Sequence, residues 1–380
     1  MALELLHVVT IVGTRPEIIR LSRVISRLNK SKSINHTLIH TGQNYDYNLN
    51  EVFFKELGIK KPNLFLEAAG DSAAETIGNI IIKIEPVLKK LKPGALLVLG
   101  DTNSCLSIIV AKKYKIPIFH MEAGNRCFDQ NVPEETNRKI IDHIADINLP
   151  YSSIARENLL KEGISADRVI KTGSPMNEVL KFYLDKIQQS TIHESLNINK
   201  GSYFVVSSHR EENVDIMKKL NTLISTLNSL GEKYNYPIIF STHPRTRKQL
   251  NKLEIRPSDK IQFLNPLGFI DYNALQINSF LVLSDSGTIS EEASILNFKA
   301  INIRSSHERP EAMEEAEVMF TDLNEERILR AVTIMENESN TKRDKISVMD
   351  YRATNVSKKI EKIILSYTDY VNQNVWKKEF

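Results

Sequence analysis

Two apolar segments in the first half of the chain are each followed by an acidic side chain. Residues 116–119 are typical of a buried strand, and Glu122 stands where that strand would end. Asp101 has the same position after residues 96–99. Because neighbouring parallel strands end at one edge of a sheet, we expect the two carboxylates to lie together, where one pKa would rise as acid/base chemistry often requires. Asp101 could alternatively cap the helix that follows it.

A third acidic position begins the next helical pattern. In residues 133–138 a proline precedes Glu134 and Glu135, and these residue types are typical of a first helical turn. The two glutamates could simply complement the helix terminus. Glu134 could instead approach Asp101 and Glu122 from a second direction, so that three carboxylates would share one site.

A strand–loop–helix rhythm predicts the elements that position these residues. Residues 6–12 form an apolar, β-rich run, Gly13 begins a turn, and a helical pattern follows that carries Arg15 and Arg20. Both arginines could face a ligand or could be solvated surface charges. A single glycine is not a dinucleotide fingerprint, so nicotinamide binding has no support.

The same rhythm restarts beyond a turn near residue 173. Residues 203–206, 237–240 and 280–283 are predicted strands, so we expect a second Rossmann-like sheet. The fold class is therefore α/β, with two parallel-sheet domains.

The loop after residues 280–283 has the composition of an anion site. Ser286, Gly287 and Thr288 offer backbone N–H groups and hydroxyls at a predicted helix start, where a diphosphate would fit. Ser286 could instead be an ordinary N-cap. Glu292, or its neighbour Glu291, could bind ribose hydroxyls.

The histidines are poor candidates for a metal site. His209 and His243 follow strands, but neither has a partner at the usual ligand spacing. A cationic role for His209 beside phosphate, with Arg210 and Arg304 nearby, suits it better. We expect three other histidines to be surface or packing residues: His7, His36 and His307.

Composition excludes several classes of protein. The 380 residues include 41% hydrophobic residues, enough for two cores, and the net charge of +3 argues against binding nucleic acid. Cys105 and Cys127 are too few for a disulfide framework or a four-cysteine zinc site. We expect a cytoplasmic protein without a membrane segment, because there is no long apolar stretch and no basic leader.

A series of motifs then resembles one known family, the non-hydrolysing UDP-N-acetylglucosamine 2-epimerases. The motifs occur in order along the chain at 13–17, 100–102, 120–124, 133–138, 209–213, 285–287 with 291–292, and 309–311. The resemblance implies a GT-B architecture whose C-terminal domain holds the nucleotide. We predict domains at 1–173 and 174–364, with 365–380 packing back on the first.

The resemblance also implies the chemistry and the residues that perform it. Members of this family eliminate UDP to give a 2-acetamidoglycal and then re-add UDP on the other face, without a metal or other cofactor, and enzymes of this kind often dimerise. We therefore expect a homodimer that binds a UDP-sugar. By resemblance, the acid/base set is Asp101, Glu122 and Glu134. Residues implied to face the phosphates, the reacting sugar or the nucleotide are Arg15, Arg20, His209, Arg210, Tyr272, Ser286, Gly287, Thr288, Glu292 and Arg304.

The loop after Glu122 departs from the parent family. Residues 125–130 are similar to a narrower branch that makes UDP-N-acetyl-L-fucosamine from its L-talo isomer. Phe128 in this loop would suit the methyl group of a 6-deoxy sugar, or it could pack inward. Three alternatives stay open: a UDP-N-acetylglucosamine 2-epimerase giving UDP-N-acetylmannosamine, a GT-B glycosyltransferase, and a non-catalytic UDP-sugar-binding regulator.

Overall fold

The structure is a computed structural model that describes residues 4–43, 53–253, 255–306, 308–337 and 346–379. The chain forms two compact units, Met1–Val179 with Asp350–Phe380, and Leu180–Met349. The sequence prediction put these boundaries at 173 and 365. It relied on turn signals near 173, whereas the first boundary falls within a helix, Met176–Gln188. His307 lies outside the described residues.

The first unit contains a six-stranded sheet in which every pairing is parallel. Its strand order is β3-β2-β1-β4-β5-β6. The strands are β1 (Leu6–Val12), β2 (Ile34–His40), β3 (Leu64–Phe65), β4 (Ala95–Leu99), β5 (Ile118–Met121) and β6 (Ile147–Leu149).

Helices of the first unit pack their apolar faces on this sheet. Every residue of β4 and β5 is buried, as expected for central strands covered on both faces. The α-helices of this unit include α1 (Arg15–Lys30), α2 (Ala73–Leu91), α3 (Ile108–Lys113), α4 (Pro133–Ile144), α5 (Ser153–Lys161) and the start of α6 (Met176–Gln188).

The second unit repeats this topology in the other half of the chain. Its strands also pair in parallel, in the order β12-β11-β10-β7-β8-β9. They are β7 (Phe204–Ser207), β8 (Ile238–Ser241), β9 (Ile261–Leu264), β10 (Leu281–Ser284), β11 (Ala300–Asn302) and β12 (Met319–Phe320).

The helices of the second unit, after α6, are mostly short, and α9 is the longest of them. Its apolar face packs with β7, β8 and β10 in one buried cluster. The set is α7 (Ile192–Leu196), α8 (Glu211–Val214), α9 (Met217–Tyr234), α10 (Pro244–Leu250), α11 (Phe269–Ile277), α12 (Ile289–Leu296), α13 (Pro310–Glu314) and α14 (Glu325–Asn337).

The final helix, α15 (Val356–Asn374), belongs to the first unit. It packs along α1, where Arg27 Nε lies 2.5 Å from Glu361 Oε2. The return to the first unit therefore begins at Asp350, earlier than the predicted 365.

In each sheet the strand order reverses at the centre. The reversal lies between β1 and β4 in the first unit and between β7 and β10 in the second. Open α/β sheets bind ligands outside the carboxyl ends of the strands at such a point. The fold thus assigns particular importance to four loops, those after β1, β4, β7 and β10.

Two smaller expectations can be compared with the structure directly. His7 and His36 are half-buried and hydrogen-bond to Thr37 and Thr10, as packing residues. Among the described residues, no helix is long and apolar enough to cross a membrane.

Candidate active site

Glu122 lies directly after β5 in an unusual backbone conformation. Its φ is +66°, in the left-handed region that costs a non-glycine residue about 1 kcal/mol or more. The carboxylate lies 2.5 Å from Nη1 of Arg20, which is buried in α1 with its guanidinium 5.9 Å from the ring of Tyr151. The strained backbone and the buried arginine partner make Glu122 a candidate functional residue.

Asp101 also pairs with an arginine, after β4. Its Oδ2 lies 2.8 Å from both Nε and Nη2 of Arg138 in α4, while Asn137 Nδ2 donates to the Asp101 carbonyl. The helix-cap interpretation is wrong, because the 3-10 helix Asn103–Ser107 has Thr102 at its N-cap and no side-chain cap. Asp101 is partly exposed and available to a ligand.

The two glutamates at the start of α4 differ in their surroundings. Glu135 is buried and pairs with Arg138 at 2.8 Å, and it accepts hydrogen bonds from the backbone N–H groups of Cys127 and Phe128. Burial opposes its ionisation, but these donors lower its pKa. Glu134 is half-buried and, within the described part of the chain, has no hydrogen bond or ion pair. Glu135 therefore holds the 127–128 backbone, whereas Glu134 makes none of these contacts.

Glu17 is a buried carboxyl group that the sequence analysis did not single out. It joins the segments that follow β1 and β4. Glu17 in α1 accepts from Gly13 N–H and the Thr14 hydroxyl through Oε2, and from the Thr102 hydroxyl through Oε1. Burial raises the pKa of Glu17 to about 7, although these hydrogen bonds oppose the rise. The loops that carry Arg15 and Asp101 are thus tied to one protonatable group.

Arg15, the first residue of α1, contacts an aromatic ring. Its guanidinium lies 5.6 Å from the ring of Phe53, in a cation–π contact, and it is half-buried. Arg20, further along α1, meets the carboxylate of Glu122.

The second unit also carries polar residues where its strand order reverses, between β7 and β10. Asp285, fully buried after β10, accepts from Ser208 Oγ, from the N–H groups of His209 and Arg210, and from Asn213 Nδ2. His209 Nδ1 also lies 3.2 Å from Asp285. Asp285 therefore fixes the loop after β7 and orients His209.

The loop after Asp285 is tightly arranged around a small residue. Ser286 Oγ lies 2.9 Å from Thr288 Oγ1 and accepts from Thr288 N–H, and helix α12 begins at the next residue. A Cβ at Gly287 would lie 2.4 Å from Glu308 Oε1, so Glu308 would have to move to admit a side chain there. Ser286 is not the N-cap; Thr288 has that position.

Arginines surround this loop. Arg304 is fully buried and donates from Nη1 to Glu308 Oε2 at 2.7 Å, with its Nε 3.7 Å from Glu212. Nε and Nη2 of Arg304 have no hydrogen bond, an unusual state for a buried guanidinium. Arg210 Nη2 lies 3.8 Å from the other Glu308 oxygen. The cationic pair is suited to an anion near Gly287.

The last two predicted residues of this unit lie behind the loop. Glu292 is buried and accepts from Gln276 Nε2 at 3.0 Å. Burial and the nearby Glu292 charge raise the pKa of Tyr272, whose hydroxyl bonds to Ser207. Tyr272 and Glu292 therefore lie near each other in the second unit.

Several residues of these two edges were missed by the sequence analysis. Arg138 was quoted only within a motif, yet its spacing of four from Glu134 puts it on the same face of α4. Asp285 stands directly after a predicted strand, in the same position as Asp101 and Glu122, and that signal was available. Glu308 had no signal, because its role depends on β11 lying beside β10.

The fold and these two edges define the class of protein. The two Rossmann-like units are of the GT-B type, one edge bearing arginine-paired carboxylates and the other bearing hydroxyls, backbone N–H groups and arginines. Across residues 4–43, 53–253, 255–306, 308–337 and 346–379, no group of three or more His, Cys, Asp or Glu side chains is placed to hold a metal ion.

Comparison with known proteins identifies the family. The family model described as UDP-N-acetylglucosamine 2-epimerase matches residues 26–365. A UDP-N-acetylglucosamine 2-epimerase structure from Rickettsia bellii is 52% identical, covering 99% of this chain and 100% of that one at a TM-score of 0.91. The chain belongs to the UDP-N-acetylglucosamine 2-epimerase family, whose members are isomerases of UDP-sugars.

Two further relatives show the range of the family. The Methanocaldococcus jannaschii UDP-GlcNAc 2-epimerase, crystallised with UDP-GlcNAc and UDP, is 35% identical over 95% of this chain and 100% of that one, at a TM-score of 0.88. A UDP-2,3-diacetamido-2,3-dideoxy-D-glucuronate 2-epimerase from Pseudomonas aeruginosa is 33% identical over 306 residues, 80% of this chain and 84% of that one. Relatives with such names act on differently substituted sugars.

Proposed function

We propose that this protein inverts C2 of a UDP-2-acetamido sugar by elimination and re-addition. A base removes the C2 proton, the C1–O bond to UDP breaks, and the products are a 2-acetamidoglycal and UDP. The UDP oxygen then adds back to C1 while C2 receives a proton on the opposite face. Both halves of the reaction need carboxyl groups at C2 and positive charge at the diphosphate.

The observation that carries this proposal is the strained Glu122 with its arginine. A φ of +66° and the 2.5 Å contact to Arg20 hold a carboxylate at the end of a central strand. We assign proton transfer at C2 to Glu122, Asp101 and Glu134. Arg15, Arg20 and His209 would face the reacting sugar or the departing diphosphate.

We assign nucleotide binding to the second unit. Gly287 admits close approach to the backbone, Ser286 and Thr288 supply hydroxyls, and Arg304 has two unsatisfied donor atoms. Arg210 would add charge, and Glu292 and Tyr272 would contact ribose and base. We also propose a cytoplasmic homodimer serving surface-polysaccharide synthesis, and light scattering would test the dimer.

The loop after Glu122 favours a particular sugar. Phe128 is 76% exposed with φ +57°, and Glu135 accepts from its N–H group. The side chain thus projects outward instead of packing inward. We propose that it contacts the methyl group of UDP-2-acetamido-2,6-dideoxy-L-talose, and that the product is UDP-N-acetyl-L-fucosamine.

The decisive measurement for the sugar is kcat/KM on that L-talo substrate against UDP-N-acetylglucosamine. We expect the L-sugar to be preferred, and Phe128→Ala to reduce the preference by about fivefold, since burying a methyl group contributes about 1 kcal/mol. Leu5→Ala, a change to another exposed apolar residue of the first unit, is the control. A higher kcat/KM for UDP-N-acetylglucosamine would assign the reaction that gives UDP-N-acetylmannosamine instead.

Turnover in deuterium oxide tests the reaction itself. With UDP-sugar alone, we expect the product to carry deuterium at C2 without added metal or nicotinamide cofactor. Sugar transfer that requires an added acceptor would indicate a glycosyltransferase, and binding without turnover would indicate a regulator. Either result would end the proposal.

A further inference from the structure

A buried aspartate in α4 reaches the loop that carries Glu122. Asp142 is fully buried, accepts from Gly124 N–H at 3.1 Å and pairs with Nη1 of Arg126 at 2.8 Å. Arg126 is buried as well, and its other guanidinium nitrogens bind both oxygens of Glu162. The charge of Asp142 is thus balanced inside the protein, as burial requires.

Asp142 is also connected to the loop that carries Asp101. His120 in β5 donates from Nε2 to the Gly100 carbonyl at 2.8 Å, since a carbonyl can only accept. The other ring nitrogen, Nδ1, lies 3.0 Å from Asp142 Oδ1, a close polar contact without the geometry of a hydrogen bond. Asp142 therefore contacts Gly124, which lies two residues after Glu122. It also contacts His120, which binds the Gly100 carbonyl next to Asp101.

The Glu122 loop needs such an anchor. Glu122 has φ +66°, and Gly124 follows at φ +82° with space for no Cβ, which would lie 2.2 Å from the Ala155 carbonyl. Two left-handed residues so close in sequence are not stable by local preference, so surrounding contacts must impose the conformation. The bonds from Gly124 and Arg126 to Asp142 are buried contacts that do so.

We propose that Asp142 is a positioning residue that fixes Glu122, and through His120 the Gly100–Asp101 segment, in the geometry for proton transfer. The inference rests on the proposed function, because the need for fixed carboxylates comes from that reaction. Asp142 itself has no part in the chemistry. Its substitution should therefore change kcat and leave KM nearly unchanged, since an ångström-scale displacement of a reacting group costs up to about a hundredfold in rate.

The test compares Asp142→Asn with Asp146→Asn. Asp146 is also fully buried and accepts from a backbone N–H, that of Ile118 at 3.0 Å, and it pairs with Lys112. That contact lies at the amino end of β5, whereas Asp142 acts at the carboxyl end. We expect Asp142→Asn to lower kcat about tenfold to a hundredfold, with KM within about threefold, and Asp146→Asn to keep kcat within about twofold.

Amide hydrogen exchange provides a readout that does not depend on activity. Faster exchange of residues 122–126 in Asp142→Asn, but not in Asp146→Asn, is expected. If Asp142→Asn does not fold, His120→Gln, which keeps a donor for Gly100 and loses the Asp142 contact, should lower kcat about threefold to tenfold.

Two results would overturn the positioning role. One is an equal loss of kcat in both aspartate variants, and the other is unchanged exchange of residues 122–126 in Asp142→Asn. If the wild-type protein shows no C2 exchange in deuterium oxide, the proposed function fails, and the exchange data alone then decide whether Asp142 anchors the loop.

Discussion

The two units have the same strand order but different chemistry at the point where that order reverses. Each point is held by a buried carboxyl group that joins two loops, Glu17 in the first unit and Asp285 in the second. The donors to Glu17 include the Gly13 N–H and the hydroxyl groups of Thr14 and Thr102. Asp285 receives two backbone N–H groups, a hydroxyl and an amide.

The difference corresponds to the two roles that we propose for the units. In the first unit the loops present carboxylates against arginines, and we propose that proton transfer takes place there. In the second unit the only carboxylate directly after β10, Asp285, is consumed in holding its neighbours, and the loop presents hydroxyls, Gly287 and arginines instead. The fold supplies the position, and the loop residues decide the chemistry.

The largest effect is expected from the carboxylates of the first unit. Asp101→Asn, Glu122→Gln and Glu134→Gln should each lower kcat about a hundredfold or more, since acid/base catalysis is worth that much. UDP affinity, measured by calorimetry, should be nearly unchanged, because we assign UDP to the second unit.

A surface carboxylate gives the control for these variants. Glu157→Gln removes a charge from the same unit at an exposed i,i+4 pair with Lys161 and should leave kcat unchanged. If UDP affinity and kcat fell together in the three carboxylate variants, the two edges would not have separate functions.

The second effect concerns the buried carboxyl group of the first unit. Because the pKa of Glu17 is about 7 in the folded protein, the native state keeps a proton between pH 4.5 and 7 that the unfolded chain has released. Stability should therefore fall as pH rises through this window, by about 3 kcal/mol for a shift of this size.

Glu17→Gln removes this dependence and so tests it. Urea unfolding at pH 5 and pH 8 should show a difference for the wild type that is smaller by about 3 kcal/mol in the variant. Only the pH dependence is informative, since the variant also loses hydrogen bonds at both pH values. Identical pH dependence in the two proteins would mean that Glu17 is ionised throughout, as a carboxylate with so many donors could be.

The main strands and the loops after them were predictable from the sequence. Apolar runs ending in polar loops placed β1, β4, β5, β7 and β10, because buried parallel strands are continuous apolar segments. The paired position of Asp101 and Glu122 followed from adjacent parallel strands. The short edge strands, such as β3 and β12, were not predicted, since two residues carry no periodic signal.

The ion-pair partners of the site residues were harder to predict from the sequence than the places of those residues after the strands. Nothing local links Arg20 to Glu122, which are separated by 102 residues. The different environments of Glu134 and Glu135 depend on where the 127–128 backbone passes, and this is a tertiary property. Glu17 resembled an ordinary first-turn acid of α1. Its role as a buried link depends on donors in the segments after β1 and β4, and this is a tertiary property.

The smallest effect is expected at Ser286 and separates a ligand contact from a structural role. Its hydroxyl meets Thr288 at 2.9 Å but does not cap α12, so its loss should have little effect on the helix. One hydrogen bond to a phosphate is worth about 1 kcal/mol, so Ser286→Ala should weaken UDP binding about fivefold in calorimetry. Ser195→Ala, at an exposed hydroxyl in the same unit that bonds only within its own helix, should leave UDP binding unchanged. A drop in thermal stability with unaltered UDP affinity would return Ser286 to an internal loop contact, and the second edge would then bind its anion through the backbone and arginines alone.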